Sequence, residues 1–254
     1  MSGAGSGPGR GATAAGVLVL AGLDPSGGAG LLADEEAIRA AGARPFLCAT
    51  ALTFQSERRV HGWDPVAPSS VKAQVRALLD DGAGIRAVKV GMLGGAAGVV
   101  GELRAHPDLR DLPWVIDPVL ASTSGAPLVE GGARAYDRLL PGAVVTPNAG
   151  EAAALSGLPV PRDETELLRC AEAIVDRGAR AVIAKGGHLA AEPTDWVVGA
   201  EGALRLPGER LAGSRRGTGC RLASFVAARL ALGDPLPAAA SAAKSFVTGY
   251  LGSR

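Results

Sequence analysis

Four consecutive residues, Gly217-Thr218-Gly219-Cys220, pair an anion cradle with a side chain able to take a proton. They open an apolar, helix-like run, Arg221 to Leu230, which ends near Gly233-Asp234-Pro235. A glycine turn leading into a helix presents backbone N–H groups without intrahelical partners at the positive end of the helix dipole, a place for a phosphate. A cysteine in that first turn is expected to have a lowered pKa and thiolate character. Cradle and base together suggest phosphoryl transfer. The same residues also read as a tight turn before a core helix, with a small buried thiol.

Other polar residues stand where apolar runs end. Asn148-Ala149-Gly150-Glu151 offers an amide oxygen and a carboxylate, a donor set for a hydrated Mg²⁺ that takes few protein ligands. It equally reads as a helix start, with Asn148 capping and Glu151 closing a capping box. Lys185-Gly186-Gly187-His188 puts a lysine within reach of phosphate oxygens and two glycines where a backbone can approach a ligand, or is a turn with a solvated lysine. Asp117-Pro118-Val119 ends a strand-like run in an acid that orients a metal or phosphate-bound water, or caps the turn. The loop Asp24-Pro25-Ser26-Gly27-Gly28-Ala29-Gly30 resembles a phosphate loop without the G-K-[ST] ending of a Walker A. Its small residues would also let a ring lie against the backbone.

The elements between these residues alternate. Apolar runs at 17–22, 45–52, 87–92, 114–118, 143–148 and 181–187 read as buried strands. Helical patterns occupy 31–41, 69–79 (with Ser69 or Ser70 as cap), 98–105, 131–140, 149–155, 164–177, 219–232 and 236–249. Residues 195–206 read as a hairpin turning at Glu201-Gly202. This β-α alternation predicts an α/β fold, a mostly parallel sheet with helices on both faces. Ligands in such sheets bind at the carboxyl ends of the strands, which is where Asp24, Gln55, Lys89, Met92, Asp117, Asn148, Glu151 and Lys185 fall. Without a linker or a repeat, 17–254 reads as one domain, and the Gly/Ala/Ser-rich residues 1–16 as a disordered tail.

Composition removes other classes. A net charge of +1 and 4% aromatics argue against nucleic-acid binding, by electrostatics and by stacking. No apolar run reaches the ~18 residues of a membrane span. Cys48, Cys170 and Cys220 are odd in number, far apart and in no CxxC, which points to a reduced, cytoplasmic protein.

Seven segments in order are similar to those of hydroxymethylpyrimidine/phosphomethylpyrimidine kinases, thiamine-pathway enzymes of the ribokinase-like superfamily. They are Gly22 to Gly30 with Ala33-Asp34, Thr50 to Gln55, Lys89 to Leu93, Asp117 to Val119, Thr146 to Glu151, Lys185 to His188 and Gly217 to Cys220. The resemblance implies a three-layer α/β/α fold and ATP-dependent phosphorylation of 4-amino-5-hydroxymethyl-2-methylpyrimidine and its monophosphate. It implies Gln55 as the residue that hydrogen-bonds the aminopyrimidine, with Gly22, Ala29, Asp34, Thr53 and Met92 lining the pocket. Cys220 becomes the candidate base, and Gly217, Thr218 and Gly219 the donors to the transferred phosphoryl group. Asn148 and Glu151 organise Mg²⁺-ATP, with Asp117 near the phosphates and Lys185 on the nucleotide side. A homodimer is also implied.

The chain departs from the family pattern near the phosphates. Thr123 replaces the lysine of the usual DPVMxxKSG run, and Ser214-Arg215-Arg216 precede GTGC where THGTGC is common. Arg221 follows the cysteine in place of a small or polar residue. One of Arg215, Arg216 and Arg221 is therefore expected to replace the lost charge, with Arg215 and Arg216 assigned to the nucleotide. The alternatives are a pyridoxal or pyridoxine kinase and a weakly active or non-catalytic pyrimidine-binding paralogue.

Overall fold

The computed structural model describes residues 15–122, 125–187, 189, 193–210 and 215–252. Its nine strands are β1 (Gly16–Leu23), β2 (Arg44–Gln55), β3 (Val60–Pro65), β4 (Ile85–Val90), β5 (Trp114–Ile116), β6 (Val144–Val145), β7 (Ala181–Ala184), β8 (Asp195–Gly199) and β9 (Gly202–Leu206). They form one sheet in the order β3-β2-β1-β4-β5-β6-β7-β8-β9. The six strands from β2 through β7 in that order are parallel, while β3, β8 and β9 pair antiparallel at the two edges.

The helices are α1 (Gly30–Ala40), α2 (Pro68–Asp80), α3 (Ala97–Arg104), α4 (Ala149–Ser156), α5 (Glu164–Asp176), α6 (Thr218–Ala231) and α7 (Leu236–Gly252). Side chains of a strand alternate between faces, so the continuous apolar run of β1 feeds two cores. Leu18 and Leu20 pack with Val75, Val100, Leu155 and Leu167 from α2 to α5. Val17, Val19 and Ala21 pack with Leu31 and Ile38 of α1, Val226 of α6 and Val247 of α7. The result is three layers. Each fully buried leucine or valine contributes roughly 1.5–3 kcal/mol, which makes the strand ends a rigid platform.

Chain direction across the sheet reverses beside β1, which lies between β2 and β4. That switch point opens a crevice beyond the carboxyl ends of β1 and β4. The loop after Leu23 and the turn at Gly91-Met92 therefore face it.

Local expectations change in four places. Gly16 belongs to β1 rather than to a tail. Strand β2 runs on to Gln55 because Thr53 and Phe54 pair with Trp63 and Gly62 of β3, a strand whose short, polar sequence hides it. Helix α2 starts at Pro68 after Ala67, with no serine cap, because proline at the first helical position needs no N–H partner. Residues 132–136 form a single 3₁₀ turn in place of a helix over 131–140.

Candidate active site

The loop after β1 is shaped by Asp24. Its Oδ1 accepts hydrogen bonds from Ser26 N at 2.9 Å and Ser26 Oγ at 2.7 Å, and its Oδ2 from Ala29 N at 3.0 Å. Gly30, at φ 59°, opens α1 so close to β1 that a Cβ there would collide with Gly22 O. A Cβ on Gly22 would itself lie 2.7 Å from Met92 Sδ. Thr53 Oγ1 donates to Leu23 O at 2.7 Å and Thr50 Oγ1 to Met92 O at 2.5 Å, which ties β2, β1 and β4 together at the crevice. Gly22, Ala29, Thr53 and Met92 thus adjoin one another at this crevice, with Gln55 two residues beyond Thr53 on β2. Asp34 is wholly buried.

Helix α6 starts at Gly217, whose φ of 72° is open to glycine and strained for other residues. A Cβ there would collide with Gly28 O. The two glycine loops pack backbone to backbone, and the first turns of α1 and α6 lie side by side. A buried charge pair lies beneath them. Lys89 Nζ sits 2.6 Å from Asp34 Oδ1, and Ser224 Oγ, one turn along α6 from Cys220, donates to the same oxygen at 2.7 Å. Asp34 Oδ2 is buried without a partner among the described residues. Burial raises the Asp34 pKa against the opposing pull of Lys89. Burial also works against the Lys89 charge, but Asp34, Cys220 and Asp117 outweigh it and keep the ammonium protonated.

Cys220 reverses one expectation. Its pKa is not lowered: burial pushes it up to about 11, with Asp34 and Asp117 adding to the rise and Lys89 and the Gly30 N–H opposing it. The position in a first helical turn is as predicted, but desolvation of the thiolate exceeds what the dipole and the lysine return. At neutral pH the resting group is a thiol.

On the other side of α6 stands an acid–lysine group. Lys185 Nζ lies 3.1 Å from Asp117 Oδ1 and 3.9 Å from Glu151 Oε2. A Cβ on Gly219 would come within 3.0 Å of Lys185 Nζ, so the cradle and this group adjoin. Burial disfavours the lysine charge, yet Asp117 and Glu151 together raise its pKa. Asn148 and Glu151 form the capping box: Asn148 Oδ1 accepts from Glu151 N at 2.9 Å, and Glu151 Oε2 accepts from Asn148 N at 2.8 Å. Burial, reinforced by Asp117 and opposed by Lys185, raises the Glu151 pKa to about 7. No group of three His, Cys, Asp or Glu among the described residues is arranged to enclose a metal. Asn148, Glu151 and Asp117 offer oxygen donors only, a donor chemistry that suits a hydrated Mg²⁺.

The three arginines are disposed differently from the expectation. Arg221 is buried; its Nε and Nη2 bond Glu36, and its Nη1 bonds Gly28 O at 3.1 Å. Its guanidinium lies 4.0 Å from the Tyr250 ring centroid, and that of Arg215 lies 3.8 Å from the same centroid. Arg216 is engaged with Gln55 and Asp24 of the expected pyrimidine side, and not with Asp117, Asn148 or Glu151. Among the described residues, then, Arg216 lies toward Gln55 and Asp24, and Arg215 against Tyr250. Thr123, His188 and Ser214 lie outside the described residues. Ser224, Glu36 and Tyr250 were missed, because single polar residues on helices carry no spacing signal. A groove of about 460 Å³ between α2 and α3, lined by Lys72, Arg76, Glu102 and His106, contributes nothing to this site.

A doubly wound sheet with small-residue loops at its switch point, a glycine-led helix N-terminus and an adjoining acid–lysine group defines a small-molecule kinase of ribokinase-like fold. The sequence profile of the phosphomethylpyrimidine kinase family matches residues 24–253, and the chain belongs to that family. A hydroxymethylpyrimidine/phosphomethylpyrimidine kinase of Streptomyces coelicolor is 42% identical over 241 residues, which are 92% of this chain and 88% of that protein. The crystal structure of phosphomethylpyrimidine kinase from Clostridium difficile 630 superposes with a TM-score of 0.80 at 30% identity, covering 93% of this chain and 99% of the other. Pyridoxal kinase from Staphylococcus aureus, in complex with AMP-PCP and pyridoxal, gives a TM-score of 0.83 at 29% identity over 93% of this chain and 87% of its own.

Proposed function

We propose that this protein transfers the γ-phosphoryl group of ATP to 4-amino-5-hydroxymethyl-2-methylpyrimidine and to its monophosphate, a reaction pair of thiamine biosynthesis. The observation that carries the reading is the meeting of the Gln55 rim and the Gly217–Cys220 helix start across the Asp24–Gly30 loop. The 42% identical Streptomyces relative, by its name, supports the pyrimidine over pyridoxal.

In this reading the ring lies against Gly22, Ala29 and Met92, and Gln55 bonds its edge. The hydroxymethyl oxygen approaches Cys220. The first-turn N–H groups at Gly217, Thr218 and Gly219 stabilise charge on the moving phosphoryl group, and Lys185 adds a fixed cation beside them. Phosphoryl transfer relies on positioning and charge stabilisation, so the thiol need act as base only through its thiolate fraction. Asn148 and Glu151, with Asp117, would hold Mg²⁺, which neutralises charge across the β- and γ-phosphates when bound.

We read the chain as cytoplasmic because its three cysteines are free and far apart in sequence. A homodimer is supported by Leu52 and Phe54, two apolar residues half exposed on one face of β2. The deciding assay measures ADP release with hydroxymethylpyrimidine, its monophosphate and pyridoxal side by side. Faster turnover of pyridoxal than of either pyrimidine would overturn the substrate assignment.

A further inference from the structure

Arg216 reaches from the turn before α6 to the end of β2. Its Nη2 donates to Gln55 Oε1 at 2.6 Å, and its Nη1 to Ser56 O at 2.7 Å and Ser26 Oγ at 3.4 Å. Its Nη2 also stands 3.4 Å from Asp24 Oδ2. The backbone from which it springs is itself held, since Arg216 O accepts from Tyr250 Oη at 3.2 Å and from Arg221 Nη1 at 3.3 Å. One guanidinium thus bridges the β1 loop, the β2 end and the α6 start.

A guanidinium carries only donors, so the end of the Gln55 amide that meets it must be the oxygen. The amide can no longer flip. Its NH₂ end and the second lone pair of its oxygen are left for a ligand, side by side and in a fixed order. A 4-aminopyrimidine edge, one ring nitrogen beside one exocyclic amine, complements that order with two hydrogen bonds. A pyridine ring whose hydroxyl is not next to its nitrogen does not.

We propose that Arg216 is a positioning residue that fixes the Gln55 amide and so selects an amino-bearing pyrimidine as the phosphoryl acceptor. The inference rests on the pyrimidine reading above, and adds to it a residue that touches Gln55 rather than the reacting atoms.

The test compares kcat/KM for hydroxymethylpyrimidine with that for the same ring lacking the 4-amino group. The enzymes are wild type, Arg216→Ala, Arg216→Met, Gln55→Ala and Arg216→Ala/Gln55→Ala. Wild type is expected to prefer the amino compound at least about tenfold, the scale of a hydrogen bond whose loss strands a polar partner. Both Arg216 variants are expected to lose most of that preference, chiefly through the pyrimidine KM, with the ATP KM within about twofold of wild type. In the Gln55→Ala background, removing Arg216 should leave the ratio unchanged, as coupled residues require. Arg216→Met keeps the stem for packing if the alanine variant does not fold. A folded Arg216 variant that keeps the wild-type ratio, or loses kcat equally on both rings, overturns the inference while leaving the pyrimidine reading intact. A wild-type enzyme inactive on hydroxymethylpyrimidine and its monophosphate overturns the reading itself.

Discussion

Lys89 and Asp34 pair at 2.6 Å with no solvent exposure of either side chain. Taking two charges out of water is costly, and their attraction compensates only while both are present. Lys89→Met should therefore destabilise the fold by about 3–5 kcal/mol, leaving Asp34 charged and unpaired or forcing it to bind a proton. The double variant Lys89→Met/Asp34→Leu should recover much of that loss. Urea unfolding of the three proteins measures it. A double variant as unstable as the single one would show that the pair contributes more than mutual neutralisation.

Cys220 gives a pH signature. Because burial holds its pKa near 11, the thiolate fraction rises with pH throughout the working range. Alkylation at Cys220 by iodoacetamide, followed by peptide mapping, should accelerate about tenfold per pH unit between pH 7 and 10, since only the thiolate reacts. Cys220→Ala should lower kcat by roughly a hundredfold, the usual scale of a general base, with little loss of stability. Near-normal kcat in the alanine variant would reduce the thiol to packing.

Glu151 titrates lower. Its pKa is raised to about 7, so between pH 4.5 and 7 the folded protein keeps a proton that the unfolded chain releases. The unfolded state then binds fewer protons, and this group's contribution to stability falls as pH rises through that window. Glu151→Gln should gain stability relative to wild type between pH 5 and pH 8, by on the order of 3 kcal/mol at most. If Glu151 helps hold Mg²⁺-ATP as proposed, binding needs its carboxylate, and the wild-type KM for Mg²⁺-ATP should fall as pH rises through about 7. A glutamine variant with the same pH dependence of KM would assign it to another group.

Much of this architecture was legible in the sequence. Buried parallel strands are apolar on both faces and end at glycine or a polar residue, as Val17–Gly22 and Ala181–Gly187 do. The loops and the helix start at Gly217 were legible because glycine positions there are forced by backbone contacts, as Gly30 against Gly22 O and Gly217 against Gly28 O demonstrate. What could not be read was the direction in which long side chains turn. Arg215, Arg216 and Arg221 sit within seven residues, yet they meet an aromatic face, an amide and the exposed carboxylate of Glu36 respectively. The Cys220 pKa was missed for a related reason: a motif reports the helix dipole, whereas desolvation depends on everything packed around the sulfur. Strand β3 escaped because an edge strand needs no apolar pattern on its open side.

Arg221 joins the two glycine loops. Its guanidinium bonds Glu36 of α1, Gly28 O of the β1 loop and Arg216 O of the α6 turn, and it lies against Tyr250 of α7. It is buried, so its loss strands Gly28 O at about 1–3 kcal/mol, while Arg216 O keeps its bond from Tyr250 Oη, and the packing of the stem is lost with it. Arg221→Met retains the stem and removes the donors. It should destabilise the protein by about 2–4 kcal/mol and, by loosening the loops against each other, raise KM for both ATP and pyrimidine while lowering kcat. Tyr250→Phe removes the bond to Arg216 O, at about 1 kcal/mol, and should leave kcat near wild type. Urea midpoints and steady-state kinetics on both variants decide the matter. If Arg221→Met is as stable as wild type but loses ATP affinity alone, Arg221 acts on the nucleotide after all and supplies the charge that Thr123 lacks.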